Sequence, residues 1–186
     1  MRIISGKLKG RSLNFLKNLT TRPLKDSVKE NIFNILKHSN LINLKIDEAN
    51  ILDLYSGIGS FGIECISRGA KKVTFIEQNK EAFTVLEKNL LKLSIMKDVI
   101  IINDKIENSL DFSLLEQYDI LFCDPPFSDH EFIKNLKTIA KKKICKKEHL
   151  VIIHRENDAS KELKEILNIL FFREYGRSKI IFGTFI

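Results

Sequence analysis

The stretch Ile51-Leu52-Asp53-Leu54-Tyr55-Ser56-Gly57-Ile58-Gly59-Ser60-Phe61-Gly62 decides the fold. Ile51 to Tyr55 is a short apolar run interrupted by a single acid, which predicts a strand buried on both faces. Glycines at 57, 59 and 62 then turn the chain, and residues 60–68 present an apolar helical face. Working downstream, Lys72–Ile76 reads as a second strand, followed by a helix carrying Phe83, Leu86, Leu90 and Leu93. Val99–Ile102 is a third strand with a weaker helix over 107–116, and Asp119–Cys123 is a fourth. A helix over 129–143, a strand over 149–154 and a helix over 159–169 come next, before two final strands, Leu170–Tyr175 and Lys179–Ile186. Upstream, residues 2–5 and 11–16 flank Gly6–Gly10 as a hairpin, and Asp26 is expected to cap a helix with Val28, Ile32, Ile35 and Leu36 on one face.

Strands alternating with helices predict a doubly wound, Rossmann-like α/β sheet, mostly parallel and covered on both faces. The last two strands are too close in sequence for a crossover, so they must form an antiparallel C-terminal edge. The expected organisation is a basic N-terminal hairpin arm, residues 1–25, ahead of one domain over 26–186.

The chain has 186 residues, 44% of them hydrophobic, and a formal charge of +7. That hydrophobic share excludes a disordered chain, and no apolar run approaches the ~20 residues of a membrane helix. Charge breaks the first apolar stretch at once, unlike a secretory signal, and residues 1–25 alternate as a strand does, unlike a transit peptide. Cys65, Cys123 and Cys145 lack CxxC spacing, so neither a disulfide framework nor a zinc site follows. The expectation is a cytoplasmic monomer without metal. The first 25 residues hold seven of the 31 Lys and Arg and no acid, leaving 24 basic against 24 acidic residues elsewhere. All net charge therefore sits in the arm, which suggests an anionic partner, nucleic acid first. A second basic run, Lys134 to Lys147, reads as the wet face and frayed end of a helix.

Gly57-x-Gly59-x-x-Gly62 with Glu77 20 residues past Gly57 is the generic dinucleotide pattern, in which an acid at the second strand tip accepts ribose hydroxyls. Asp53 separates the options. A carboxylate at the end of the first strand repels a pyrophosphate but suits a ligand bearing an ammonium and a sulfonium, which favours S-adenosylmethionine over NAD. At an effective dielectric near 20, opposite charges about 4 Å apart interact by about 4 kcal/mol before desolvation. Asp124-Pro125-Pro126-Phe127, after an apolar strand, forms a stiff corner. Asp124 and a backbone carbonyl of the Pro125–Pro126 segment can accept both N–H hydrogens of an exocyclic amine, and Phe127 can stack on its base at about 1–3 kcal/mol. Such a corner aims an otherwise delocalised nitrogen lone pair at a methyl carbon.

These two motifs resemble those of amino-methyltransferases with a class I fold. Arg2-Ile3-Ile4-Ser5-Gly6, Lys9-Gly10-Arg11, Thr21-Arg22-Pro23 and Asp26-x-Val28-x-Glu30-x-x-Phe33 narrow the likeness to the RsmD family, end to end through Tyr175-Gly176. The family comprises bacterial methyltransferases acting on a guanine N2 of 16S ribosomal RNA. The resemblance implies that Asp53, Gly57 and Gly59 hold the methionine part of S-adenosylmethionine, with Tyr55 and Ser56 also in the cofactor site. It places Glu77, beside Gln78, at the ribose, Asp104 and Lys105 by the adenine, and Asp124 to Phe127 on the target base. Arg2, Lys7, Lys9, Arg11, Arg22 and Lys25 would then bind phosphates of ribosomal RNA, in the small subunit or an assembly intermediate. Ser5, Leu24 and Cys123 depart from the family pattern. His38, His130, His149 and His154 lie outside the motifs and read as structural or surface, so no general base is evident.

Other readings remain: DNA adenine-N6 methylation, for which no recognition helix is visible; protein-glutamine methylation, which more typically places Asn at 124; an RNA-binding module without catalysis; and an NAD oxidoreductase, which leaves the Asp-Pro-Pro-Phe corner unexplained.

Overall fold

The structure, a computed structural model, describes residues 1–16, 24–109, 117–126, 128–129, 131–156, 160–176 and 178–186. In chain order its elements are α1 (Asp26–His38), β1 (Asn50–Leu54), α2 (Ser60–Ser67), β2 (Lys72–Ile76), α3 (Lys80–Leu93), β3 (Val99–Ile102) and α4 (Ile106–Ser109). They continue with β4 (Tyr118–Cys123), α5 (Phe132–Lys141), β5 (Cys145–Glu156), α6 (Ser160–Leu163), β6 (Leu167–Tyr175) and β7 (Ser178–Phe185). Among the described residues the strands form one sheet in the order β3-β2-β1-β4-β5-β7-β6. β1 to β5 pair in parallel, and β7 pairs antiparallel with β5 on one side and β6 on the other.

Side-chain alternation along each strand builds two cores. Ile51, Ile120, Phe122, Leu150 and Ile152 face one layer with α1, α2 and α3. Their neighbours Leu52, Leu54, Leu121, Cys123, Val151 and Ile153 face the other with α4, α5 and α6. Phe33 of α1 stacks on Phe61 of α2 at 5.2 Å, and Phe61 stacks on Phe122 of β4 at 3.9 Å. The three cysteines are free and buried, and burial pushes their thiols up, Cys145 to about 12.

The N-terminal segment is closed by one bridge, Arg2 to Ser12, instead of a longer ladder. Its Ile3 and Leu13 are buried in the α1–α3 core. Glu64 of α2 accepts the Ile4 and Ser5 N–H groups at 2.8 and 2.9 Å, and Asn89 of α3 exchanges hydrogen bonds with the Asn14 backbone. Lys29 of α1, fully buried, donates to the Arg2 carbonyl and to Ser60 Oγ, and lies 4.0 Å from Glu64. Desolvation lowers the Lys29 pKa against the opposing pull of Glu64 and Asp26.

Several boundaries differ from the sequence expectation. Asp26 does not cap α1: Lys25 occupies that position without a side-chain cap, and Asp26 pairs with Lys29 inside the first turn. The helix expected over 129–143 begins at Phe132, because Asp129 accepts the Glu131 and Phe132 N–H groups and ends the preceding turn. The basic run is correspondingly not one helix end: Lys146 and Lys147 lie in β5, where Lys146 pairs with Asp119 at 2.8 Å. The helix expected over 159–169 is only Ser160–Leu163. Leu163, Ile166 and Leu167 have helical spacing, but Leu167 already pairs with Phe185 of β7, so cross-strand pairing overrides the local pattern.

Candidate active site

The strand order reverses between β1 and β4, and ligands of open α/β sheets bind outside the carboxyl ends of strands at such a point. Leu54 pairs with Cys123 there, so the chain leaves β1 into Tyr55-Ser56-Gly57 beside the place where β4 leaves into Asp124-Pro125-Pro126. The Asp124 N–H donates to the Leu54 carbonyl at 3.4 Å.

Asp53 is buried, and its Oδ2 accepts the Gly62 N–H at 3.0 Å. A Cβ at Gly62 would come within 2.3 Å of the Phe75 ring, so only glycine lets α2 approach β2 this closely. Asp53 Oδ1 is buried and has no hydrogen-bond partner among the described residues. Desolvation, then the nearby Asp124 and Glu77 charges, hold the Asp53 carboxyl well above its ordinary range despite the opposing Gly62 bond. Glu77, at the tip of β2, accepts Gly57 N–H through Oε2 and Asn79 N–H through Oε1, both at 2.7 Å. Burial raises its pKa as well. Gly57 has φ +55°, and nothing stands within 4 Å of its missing Cβ, which leaves open space beside the loop. Three acids thus converge on one strand-end region, and an orphaned buried carboxylate oxygen there is the partner a cationic ligand would satisfy.

A cleft of about 400 Å³ adjoins this region, lined by Tyr55, Gln78, Asp104, Lys105, Asp129 and Asn135 among others. Tyr55 hydroxyl accepts from Asn135 Nδ2 at 3.3 Å, and burial pushes its phenol up. Asp104 accepts the Lys105 N–H and Asn108 Nδ2, which hold its carboxyl below the usual range. The structure therefore brings Tyr55, Gln78, Asp104 and Lys105 around one cleft, next to Asp53, Ser56, Gly57, Gly59 and Glu77. Arg2, Lys7, Lys9, Arg11 and Lys25 are exposed, and Lys7 lies 3.9 Å from Asp98. Arg22 and Phe127 lie outside the described residues.

Two site neighbours escaped the sequence reading. His154 Nδ1 lies 2.8 Å from Asp124 Oδ1, so this histidine belongs beside the corner and not to a remote surface. Arg155 donates to the Pro126 carbonyl at 2.7 Å and stacks its guanidinium 4.4 Å from the Phe132 ring centroid. The signal lay in the register: Cys123 pairs with Ile153, which puts the next residues, Asp124 and His154, side by side.

A sheet of this order, acidic at the switch point and followed there by an Asp-Pro-Pro corner, is the α/β fold of class I methyltransferases. A family model described as Conserved hypothetical protein 95 matches residues 1–184, and the chain belongs to that family, the RsmD methyltransferases. A Buchnera aphidicola protein named Ribosomal RNA small subunit methyltransferase D is 31% identical over 185 residues, spanning 100% of this chain and 91% of the relative. A Haemophilus influenzae protein of the same name is 35% identical over 163 residues, spanning 85% and 80% respectively. The solved structure of yhhF from Escherichia coli superposes with a TM-score of 0.83 at 25% identity, covering 100% of this chain and 97% of that one.

Proposed function

We propose that this protein transfers a methyl group from S-adenosylmethionine to the exocyclic N2 of a guanine in 16S ribosomal RNA. The observation that carries the proposal is the meeting of Asp53 and Asp124 at adjacent strand ends, one with an orphaned buried oxygen, the other heading a stiff proline corner. The names of the relatives support the substrate.

The acids suit a donor carrying an ammonium and a sulfonium: Asp53 Oδ1 would meet its positive charge, and Glu77 would offer lone pairs to ribose hydroxyls beyond its bonds to the Gly57 and Asn79 N–H groups. When bound, that donor supplies an electrophilic methyl: the amine lone pair forms the C–N bond, the C–S bond leaves its pair on sulfur, and the nitrogen sheds one proton. The chain's contribution is placement. Pro126 carbonyl already receives the Asp129 N–H at 2.8 Å and the Arg155 guanidinium, so both its lone pairs are engaged. The acceptors for the two amine hydrogens are then Asp124 and the Pro125 carbonyl. Their pull keeps the lone pair off the ring and directed along one line, and the Asp124 carboxylate is placed to take the released proton. Arg2, Lys7, Lys9, Arg11, Arg22 and Lys25 hold RNA phosphates, while the guanine leaves any pairing to reach the corner.

Calorimetric titration with S-adenosylmethionine, paired with transfer of labelled methyl to small-subunit RNA lacking the modification, tests the proposal. Saturable one-site binding and RNA labelling are expected; binding without any RNA labelling would contradict the assigned substrate.

A further inference from the structure

Asp124 does not stand alone at the corner. β5 lies beside β4, and the pairing of Cys123 with Ile153 carries one residue further, so Asp124 and His154 leave the sheet as neighbours. His154 is mostly buried, with 14% side-chain exposure, against 22% for Asp124. His154 Nδ1 lies 2.8 Å from Asp124 Oδ1, and because a carboxylate oxygen can only accept, the contact is a hydrogen bond when the ring carries its N–H at Nδ1. The next residue, Arg155, grips the Pro126 carbonyl at 2.7 Å. Two successive residues of β5 thus hold the two ends of the Asp-Pro-Pro turn.

Rotation about the Asp124 side chain exchanges its two oxygens and swings the acceptor away from the line on which the amine must approach. A fixed donor on one oxygen removes that freedom. We propose that His154 is a positioning residue: by occupying Asp124 Oδ1 it reserves Oδ2 for the substrate amine and fixes the direction in which that oxygen pulls. The inference rests on the methyl-transfer reading above and assigns to this histidine a role that acts through Asp124, without contact with the reacting atoms.

The test compares His154→Leu, His154→Asn and His154→Gln with the wild-type chain and Asp124→Ala. Asn sets an amide N–H near the position of Nδ1, Gln does not, and Leu removes the donor. In ¹⁵N spectra of the ligand-free wild-type protein, the His154 ring should show a slowly exchanging Nδ1–H that is lost in Asp124→Ala. In steady-state transfer to RNA, His154→Leu and His154→Gln should lower kcat about 10–100-fold. KM for RNA and Kd for S-adenosylmethionine should stay within about threefold, and His154→Asn should recover most of the rate. Should His154→Leu fail to fold, the Asn-to-Gln ratio decides. Equal kcat in the Asn and Gln variants, or a wild-type rate in His154→Leu while Asp124→Ala is inactive, would overturn the role of His154 and leave the methyl-transfer reading intact. A wild-type protein that methylates no RNA would instead overturn that reading and the inference with it.

Discussion

Asp53 Oδ2 accepts the N–H of Gly62 at 3.0 Å, tying the acid one residue before the end of β1 to the first turn of α2, while its other oxygen is buried without a partner among the described residues. On the proposed function, such a group is held for the methyl donor at the expense of the fold. Asp53→Asn keeps the shape and removes a carboxyl whose ionisation burial disfavours, so thermal stability at neutral pH should rise relative to the wild-type chain. The same substitution should weaken S-adenosylmethionine binding at least tenfold. Thermal melts and calorimetry on one preparation measure both effects.

The pH dependence follows from the same acids. Asp53 and Glu77 have raised pKa values when folded, so both bind protons more tightly in the folded chain. Their contribution to stability is most favourable at low pH and is lost as pH rises from the ordinary carboxylate range through the raised values. A cationic ligand lowers those values again. Donor affinity should therefore increase with pH across that window, with protons released on binding, a quantity read by calorimetry in buffers of different ionisation enthalpy. Proton uptake would contradict the assignment.

Much of the site is legible in the sequence because it is local. Asp53 to Gly62 and Asp124 to Pro126 are short segments whose glycines and prolines dictate the turn, and each follows a strand short enough to recognise. His154 was not legible, because only the sheet order places β5 beside β4, and no residue near His154 advertises that neighbour. The same cause hid the start of β6: Leu167 belongs to a plausible helical face until Phe185, 18 residues away, pairs with it. The basic arm was visible as charge, whereas its attachment through Glu64 and Asn89 was not, since those residues lie in helices that pattern alone reads as ordinary.

That attachment sets how the arm can be tested. Deleting residues 1–16 would strip Ile3 and Leu13 from the core, so loss of activity would report unfolding as much as lost RNA contact. Replacing Arg2, Lys7, Lys9 and Arg11 together with Ser leaves the buried residues in place. RNA affinity should fall and its salt slope should shrink by about one for each phosphate contact removed, with donor Kd unchanged. Filter binding across a salt series measures both, and an unaltered slope would remove these side chains from the interface.

Glu64 is the buried anchor of this attachment. It receives the Ile4 and Ser5 N–H groups, pairs with Arg68 at 2.8 Å and neighbours the buried Lys29. Glu64→Ala leaves Lys29 without its buried counter-charge and should cost about 3–5 kcal/mol. Hydrogen exchange should then show the Ile4 and Ser5 amides losing protection first.

Asp124 is the group on which the proposed transfer depends most directly. Labelled methyl groups should pass from S-adenosylmethionine to small-subunit RNA that lacks the modification, and nucleoside mapping should place them on guanine N2. Asp124→Ala should slow transfer about 10²–10⁴-fold while still binding the donor. Label on another atom, or transfer by Asp124→Ala at the wild-type rate, would contradict it.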